Sequence, residues 1–239
     1  MRFGLSLPAF GNHYGDVHYL ANMAREAEAA GWDGFFIWDH MIFDPSFYPM
    51  PDTWVALAAI AMQTSRIKLG ALVTPLPRRR PWKVARETVS VDRLSNGRLI
   101  AGVGLGDPVQ WEYGFFGEEQ DASIRAKKLD EGLDILAGLW GGEMFGYSGD
   151  HYHLEPMRFR PTPVQQPRIP IWVGGNWDKH APQRRAARWD GYMPLKWGDE
   201  PLSPAQWQEI MAYIQQHRTS HTPYDWVHGG VTPGDDATQ

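Results

Sequence analysis

Cysteine is absent from this sequence of 239 residues. Its absence excludes disulfides, thiolate zinc sites, cysteine-ligated iron–sulfur clusters and cysteine nucleophiles together. No run of 18 or more apolar residues occurs, so we expect no transmembrane helix. The N-terminus enters a strand-like segment at once and lacks the regions of a signal peptide, which makes the cytoplasm the expected location.

An excess of basic residues is also missing. The formal net charge is −5 and the pI is near 6.0, which argues against a general affinity for nucleic acid. The sequence has neither a G-x-G-x-x-G motif opening a helix after the first strand nor a G-x-S-x-G nucleophile elbow. A Rossmann dinucleotide site and a serine hydrolase therefore lack local support. His151 and His153 have the spacing of one strand face, but no third ligand accompanies them, and we predict no metal site.

Strand and helix patterns alternate along almost the whole chain. Short apolar runs predict strands at 3–7, 34–38, 67–73, 98–103, 169–173, 191–195 and 224–227. Helical spacing and capping signals predict helices at 17–30, 53–62, 81–94, 124–140, 182–189 and 204–217. The clearest boundaries are Pro81 and Gly97 around the third helix, and a capping box formed by Ser203 and Gln206.

Repeated strand–helix units imply a parallel sheet with right-handed crossovers. A doubly wound open sheet and a closed barrel both fit this order, and the missing Rossmann fingerprint favours the barrel. We therefore predict the α/β class, as a TIM-like (β/α) barrel in a single domain spanning 1–239. Seven strands are readable where a complete barrel has eight, so one strand is hidden or the barrel is incomplete at the C-terminus. A hairpin insertion is expected at about 141–167 and a loose tail at about 229–239.

The second predicted strand ends at Asp39 and His40, two adjacent side chains that carry charge and transfer protons. In parallel α/β folds the chemistry lies beyond the carboxyl ends of such strands. Histidine changes its charge near neutral pH, so His40 is a candidate proton donor or acceptor. The alternative is structural, with a histidine satisfied by its neighbour and an aspartate that caps the next segment.

Other strand ends carry weaker signals. We expect the third strand to stop before Pro75, because proline cannot extend a central strand. Glycines after the fourth and fifth strands allow a ligand close to the backbone, and a Gly-rich turn before a helix suits phosphate. The candidate residues are Val73 and Thr74, then Gly104, Gly106 and Asp107, then Gly174, Gly175 and Asn176. Glu112 is a possible polar contact, whereas the arginines at 78–80 and 184–185 are interpreted as solvated.

Several segments, in this order, resemble the bacterial luciferase-like monooxygenase family, including its branch that depends on the deazaflavin coenzyme F420. They are Phe3-Gly4-Leu5, the run 28–40, Arg66-Ile67-Lys68-Leu69-Gly70, the run 94–104, and Ile169-Pro170-Ile171-Trp172-Val173-Gly174-Gly175. The stretch 189–194 matches the strand that usually follows. Each motif is modest alone, and their order and spacing over roughly residues 1–230 make the set specific.

The resemblance implies a TIM-like barrel with FMN or coenzyme F420 at its carboxyl-end mouth. It implies that His40 lies near the reactive ring, and that a backbone bulge at about Val73-Thr74, often with a non-proline cis peptide, backs that ring. The strand-four loop would line the ring edge, and the glycines after strand five would contact the phosphate side. The cofactor-binding positions that it implies are Val73, Thr74, Gly104, Gly106, Asp107, Gly174, Gly175 and Asn176.

We therefore predict a flavin- or F420-dependent oxidoreductase, with a monooxygenase outcome if reduced flavin meets oxygen. In this hypothesis hydride transfer occurs at the cofactor ring, His40 exchanges a proton with a small organic substrate, and Asp39 orients His40. The loops 42–50 and 141–167 are expected to set the substrate, and a homodimer is expected because the family often dimerises. Incomplete barrels occur among non-catalytic flavoproteins of the family, so a flavin-binding protein without turnover is the alternative.

Overall fold

Two units divide the chain at the fifth parallel strand, Met1–Ile171 and Trp172–Gln239. The computed structural model describes residues 1–43, 48–196, 198 and 200–230. Residues 44–47 of the predicted substrate loop and 231–239 of the predicted tail lie outside the described residues. The assignment of one domain to 1–239 stays a prediction. Every helix in the described part of the chain is too short or too polar to cross a bilayer.

The first unit alternates strands and helices and then adds a hairpin. Its strands are β1 (Gly4–Leu7), β2 (Gly34–Ile37), β3 (Lys68–Pro75) and β4 (Leu99–Gly104), followed by the hairpin strands β5 (Met144–Ser148) and β6 (His153–Arg158). Its helices are α1 (Val17–Ala29), α2 (Thr53–Gln63), α3 (Pro81–Leu94), α4 (Val109–Glu112) and α5 (Ala122–Trp140). Strands β1 to β4 pair in parallel and in sequence order. All four parallel strands predicted here are confirmed.

Capping residues set the helix starts in this unit. Asp16, Asp52 and Asp121 each accept hydrogen bonds from backbone N–H groups of the first turn of α1, α2 and α5. These bonds satisfy donors that have no partner within a helix. Helix α3 spans the predicted residues, with proline at its first position. Strand β2 is buried at all four residues, as expected for a strand covered on both faces.

A bulge in β3 is the main irregularity of the parallel pairing. The register with β4 shifts between Ala71 and Thr74, and the Leu72–Val73 peptide bond is cis. The bulge expected at about Val73-Thr74 is therefore confirmed, with the cis bond one residue earlier. The expectation that the strand stops before Pro75 is wrong, because Pro75 pairs with Gly104. Proline is tolerated next to a bulge, where the regular ladder is already interrupted.

The predicted hairpin is present and is clasped by a carboxylate of α5. Strands β5 and β6 pair antiparallel, and the backbone N–H groups of residues 150–152 donate to the Glu131 carboxylate at 2.9–3.2 Å. His151 lies in the turn and His153 lies on β6, where it contacts Glu155 at 3.2 Å. The interpretation that both histidines share one strand face is therefore wrong. Among the described residues, no three metal-ligating side chains come together.

The second unit contains the remaining parallel strands, apart from Ile171, the first residue of β7. These are β7 (Ile171–Asn176), β8 (Gly191–Leu195) and β9 (Asp225–Trp226), with α6 (His180–Ala187) and α7 (Pro204–His217) between them. Strand β8 pairs in parallel with both β7 and β9. The Ser203–Gln206 capping box is confirmed. Arg184 is exposed as predicted, but Arg185 is buried on the inner face of α6, so its interpretation as solvated is wrong.

Arg98 holds the elements of the first unit together at the start of β4. Its side chain is 7% exposed and donates to four backbone carbonyls and to the Thr64 hydroxyl at 2.7–2.9 Å. Two of those carbonyls, of Ala61 and Thr64, belong to the C-terminal end of α2. A helix C-terminus carries partial negative charge, so the guanidinium satisfies carbonyls that the helix cannot. Burial lowers the pKa of Arg98.

Glu28 binds backbone groups that precede β3, as Arg98 does at β4. Its carboxylate accepts hydrogen bonds from the backbone N–H groups of residues 65–67 at 2.6–3.1 Å. Partial burial would raise the pKa of Glu28, but these hydrogen bonds outweigh it and lower the pKa to about 2. The ionised form is thus bound more tightly in the folded chain than in the unfolded chain.

We expect Glu28→Gln to lower the free energy of unfolding by about 1–2 kcal/mol at pH 7, after allowance for the partial solvent exposure. Because the pKa of Glu28 is lower in the folded chain, the ionised carboxylate stabilises the folded state fully above the unfolded pKa, 4.5. This stabilisation is lost as the pH falls towards 2. Urea unfolding between pH 7 and 3.5 should show the two chains converging below pH 4.5. Glu26→Gln, on an exposed side chain of α1, is the matched control. A difference that stays constant with pH would contradict this account.

Candidate active site

His40 lies just beyond β2 and is held by a buried carboxylate from α4. The distance from His40 Nδ1 to Glu112 Oε1 is 2.7 Å. The Glu112 side chain is fully buried and that of His40 is 13% exposed. Glu112 also accepts from the backbone N–H of Met41 at 3.3 Å. With Nδ1 engaged by a carboxylate, the imidazole is fixed in orientation and Nε2 is the nitrogen left for a ligand.

Asp39 belongs to the same network but does not hold His40. Its Oδ1 accepts from Arg78 and from Arg79, each at 2.8 Å. The prediction that Asp39 orients His40 is therefore corrected, because Glu112 is the hydrogen-bond partner of the imidazole. Burial would raise the pKa of Asp39, but the adjacent Arg79 and Arg78 guanidinium groups outweigh it and lower the pKa.

Arg78 joins the two carboxylates. It donates to Glu112 Oε2 at 2.5 Å and to the Asp39 backbone carbonyl at 3.2 Å, in addition to its bond with Asp39 Oδ1. Its side chain is 4% exposed. The interpretation of residues 78–80 as a solvated face is therefore wrong for Arg78 and Arg79. Two buried carboxylates require buried cations, and a planar guanidinium can serve both at once.

The end of β3 supplies the next part of the site. Thr74 is 1% exposed, and its Oγ1 has no hydrogen-bond partner among the described residues. Val73 follows the cis bond at the bulge. A buried hydroxyl without a partner is uncommon in a folded protein and is a reason to expect a ligand or an ordered water. The position of Thr74 at a strand end was predicted from the sequence, but its missing partner was not.

The side chains of Tyr113 and Arg125 hold the loop after β4 in place. The Tyr113 hydroxyl donates to the Leu105 carbonyl at 2.5 Å, and Arg125 donates to the carbonyls of Leu105 and Gly106 at 3.1 and 3.2 Å. Burial raises the pKa of Tyr113 to about 12, so the phenol remains a donor. Gly106 has φ +80°, and a Cβ there would lie 2.6 Å from Pro75. The loop thus packs directly on the end of β3.

Two further predicted positions lie at the end of β4 and in the loop that follows it. Gly104 is the buried last residue of β4, and Asp107 is exposed and precedes the cis bond to Pro108. Glu112 follows in the same loop. The first unit therefore brings together the ends of β2, β3 and β4, and with them His40, Thr74 and Glu112.

Gly174, Gly175 and Asn176 lie at the end of β7 in the second unit. The Tyr192 hydroxyl donates to the carbonyls of Gly175 and Asn176 at 3.1 and 3.2 Å. A Cβ at Gly175 would lie 2.4 Å from Pro182 of α6, so glycine allows the close packing of strand and helix. The N–H of Trp177 donates to the Leu195 carbonyl. Phosphate contact at this turn stays a prediction.

A cavity of about 190 Å³ adjoins His40 in the first unit. It is lined by Asp39, His40, Met41, Met50, Pro51, Asp52, Thr53 and Arg79. The methionines and proline give one wall an apolar character, whereas Asp52 and Thr53 belong to the start of α2. The cavity therefore gives small molecules access to the surroundings of the imidazole.

Similarity to known proteins identifies the family of the chain. The chain belongs to the luciferase-like monooxygenase family, whose model matches residues 1–230. An uncharacterized protein of Mycobacterium tuberculosis is 34% identical over 195 residues, covering 74% of this chain and 65% of that protein. The F420-dependent glucose-6-phosphate dehydrogenase of Tsukamurella paurometabola is 31% identical over 163 residues, covering 65% of this chain and 47% of that enzyme. The chain thus spans less than two thirds of the length of these curated relatives.

Solved structures show the same fold at lower identity. An F420-dependent secondary alcohol dehydrogenase in complex with an F420–acetone adduct has a TM-score of 0.79 at 17% identity, covering 94% of this chain and 67% of that chain. The oxygenating constituent of 3,6-diketocamphane monooxygenase from Pseudomonas putida, in complex with FMN, has a TM-score of 0.71 at 19% identity, covering 93% and 64%. The predicted α/β class with a TIM-like arrangement is confirmed. Among these proteins, the Tsukamurella relative and the alcohol dehydrogenase are named as F420-dependent, and the diketocamphane monooxygenase is in complex with FMN.

Residues of the first unit fit the ring of such a cofactor. The unpartnered Thr74 hydroxyl and the bulge beside it offer a polar atom and an irregular stretch of backbone at one strand end. Glycine at position 106 lets its loop pack directly against Pro75. His40 lies at the adjacent strand end with one ring nitrogen available. The protein's part in such chemistry is to position the ring and to set its electrostatic surroundings, and these residues can contribute to both.

Proposed function

We propose that this chain carries the catalytic centre of an F420- or flavin-dependent oxidoreductase that acts on a small organic substrate. The observation that carries the proposal is the His40–Glu112 hydrogen bond of 2.7 Å beside the β3 bulge and the unpartnered Thr74 hydroxyl. A histidine oriented by a buried carboxylate is the arrangement used for general acid–base catalysis. Membership of an oxidoreductase family supports the same reaction class.

Each residue of the site has a separate role in this proposal. When bound, the deazaflavin or flavin ring supplies a hydride acceptor or donor, or reactivity towards oxygen if it is a reduced flavin. Thr74, the β3 backbone and the Gly104–Asp107 loop hold the ring. His40 Nε2 accepts a proton from a substrate hydroxyl, or returns one to a carbonyl oxygen. Glu112 keeps Nδ1 engaged and stabilises the imidazolium when it forms.

Titration of the purified chain with each cofactor tests the proposal directly. We expect FMN or F420 to show a perturbed visible absorption spectrum on binding, because the ring leaves water for a buried site. Thr74→Val should weaken that binding by about fivefold, since it replaces the hydroxyl with a methyl group of similar size. Thr222→Val, in an exposed turn of the second unit, is the control. If neither cofactor binds the wild-type chain, the proposal is wrong.

Turnover is a separate matter from binding. A bound cofactor that no donor reduces and no substrate oxidises would support the alternative, a flavin-binding protein without catalysis. We also propose a homodimer and a cytoplasmic location. Exposed apolar side chains on α2, among them Val55 and Met62, support a second copy as the partner. Sedimentation velocity at micromolar concentration measures that state, and a monomer would contradict it.

A further inference from the structure

Aromatic rings from three segments of the chain cluster beside His40, and we name this group the aromatic wall. It consists of Phe10 after β1, Trp38 and Phe43 after β2, and Trp111 in α4. Phe43, Trp38 and Phe10 have ring centroids 5.2, 6.0 and 6.2 Å from the His40 ring. Phe10 and Phe43 are stacked at 4.3 Å, and Trp111 meets Phe43 edge-on at 5.5 Å. Flat apolar surface therefore borders the His40 ring.

The aromatic wall remains accessible to a ligand. Phe10, Trp38, Phe43 and Trp111 are all half-buried, not enclosed in the core. Aromatic side chains that fill a core are normally buried much further, since each carries a large apolar surface. Partly exposed rings that come from separate loops and converge on one polar group are typical of a ligand pocket.

The charges around His40 do not favour an anionic ligand. The cavity beside it is lined by two carboxylates, of Asp39 and Asp52, and by one guanidinium, of Arg79. Arg79 is paired with Asp39, and Arg78 is shared between Asp39 and Glu112, so the charges of both guanidinium groups are already offset, although the Nε–H of each is buried without a partner among the described residues. Phosphate and carboxylate groups are bound most strongly by cations whose charge is not already offset. A phosphorylated or carboxylated substrate would meet excess negative charge here.

We infer that the substrate is an uncharged, largely apolar alcohol or carbonyl compound with a ring that packs on the aromatic wall. Phe10 and Phe43 are then the residues that determine specificity, and His40 meets the hydroxyl or carbonyl oxygen. This inference rests on the proposed function and narrows it. It separates this chain from the relative that is named for glucose 6-phosphate, although both share the family.

Equilibrium binding tests the inference without requiring turnover. The full chain, first saturated with whichever cofactor it binds, is titrated with 2-phenylethanol, with cyclohexanol and with glucose 6-phosphate, by calorimetry and by tryptophan fluorescence. We expect both ring alcohols to bind at least about tenfold more tightly than the sugar phosphate, because apolar area is buried and no anion is repelled. Fluorescence should change on binding, since Trp38 and Trp111 lie in the wall.

Variants assign the binding to the wall. Phe43→Ala should weaken 2-phenylethanol binding about tenfold, because one ring face is lost, while cofactor affinity changes less than twofold. Phe43→Leu keeps the bulk and should lose less. Phe3→Ala removes a ring that is 60% exposed at the opposite end of β1 and serves as the control. Thermal unfolding of each variant verifies that it is folded.

The outcomes separate this inference from the proposed function. Tighter binding of glucose 6-phosphate than of the alcohols overturns the inference and leaves the oxidoreductase proposal intact. The same holds if Phe43→Ala weakens the cofactor and not the alcohols, because the wall would then hold the cofactor ring. Failure of the wild-type chain to bind either cofactor overturns the proposed function itself.

Discussion

Replacing His40 with alanine is expected to lower the turnover number by about 10²–10⁴-fold. The imidazole is the proton-transferring group at the site, and its removal leaves water in that place. Cofactor affinity should change by less than about threefold, since His40 is bonded to Glu112 and not to the predicted ring contacts. Cofactor absorbance during steady-state turnover of a ring alcohol gives the rate, and a spectroscopic titration gives the affinity.

Glu112→Gln refines this prediction by keeping the shape of the carboxyl group and removing its charge. Turnover should fall by about 10–100-fold, less than in His40→Ala, because the imidazole stays but the imidazolium is no longer stabilised. His221→Ala, on an exposed histidine of the second unit, should leave turnover unchanged. If His40→Ala lowers cofactor affinity as much as turnover, His40 has a binding role only.

Replacing Arg78 with methionine is expected to lower the free energy of unfolding by about 3–5 kcal/mol. Arg78 is the one side chain that bonds to both Asp39 and Glu112 in the described part of the site. Methionine fills a similar volume, so the loss isolates the charge that Arg78 supplies to the two buried carboxylates, while Asp39 keeps Arg79 and Glu112 keeps its hydrogen bond with His40. Denaturant unfolding at pH 7 measures it, and Arg80→Met, on the neighbouring arginine, is the matched control with an expected change below about 1 kcal/mol.

The pH dependence supplies a second measurement of the same network. Asp39 has a lowered pKa in the folded chain, so its contribution is complete above the unfolded value, 3.8, and is lost as the pH falls through the folded value. In Arg78→Met, Arg79 alone opposes the effect of burial, so acid unfolding should begin at higher pH than in the wild type. Equal acid transitions in the two chains would show that Arg78 does not hold the carboxylates.

Elements with local signals were predicted closely from the sequence. Helix α3 was predicted at its observed bounds, because proline begins it and a glycine follows its end. The capping box at Ser203 did the same for α7. Strand β8 was also predicted at its observed bounds. Strand β3 was predicted to end two residues before its observed end, because a bulge that lets Pro75 stay in the sheet leaves no mark in the apolar pattern.

The site was predicted only where a strand end marks it. His40 and Thr74 follow apolar runs and were found for that reason. Glu112 was noted without a role, and Arg78 was interpreted as solvated, since their contacts cross 72 and 39 positions of the chain. A run of three arginines has the same sequence whether its side chains face water or contact two buried carboxylates. The only available signal was the position of that run shortly after a buried strand.

The sequence by itself determined the α/β alternation, the family and the histidine at the end of β2, because each depends on short segments whose composition fixes local structure. Tertiary structure alone decided that Glu112 and not Asp39 holds that histidine, and that Arg78 pairs with both carboxylates. It also decided that the rings of Phe10, Trp38 and Phe43 lie within 6.2 Å of the histidine ring. These contacts depend on which loops meet at one edge of the sheet. The energy of each contact is set by the distance between its two groups in space, and the number of residues between them in the sequence gives almost no information about that distance.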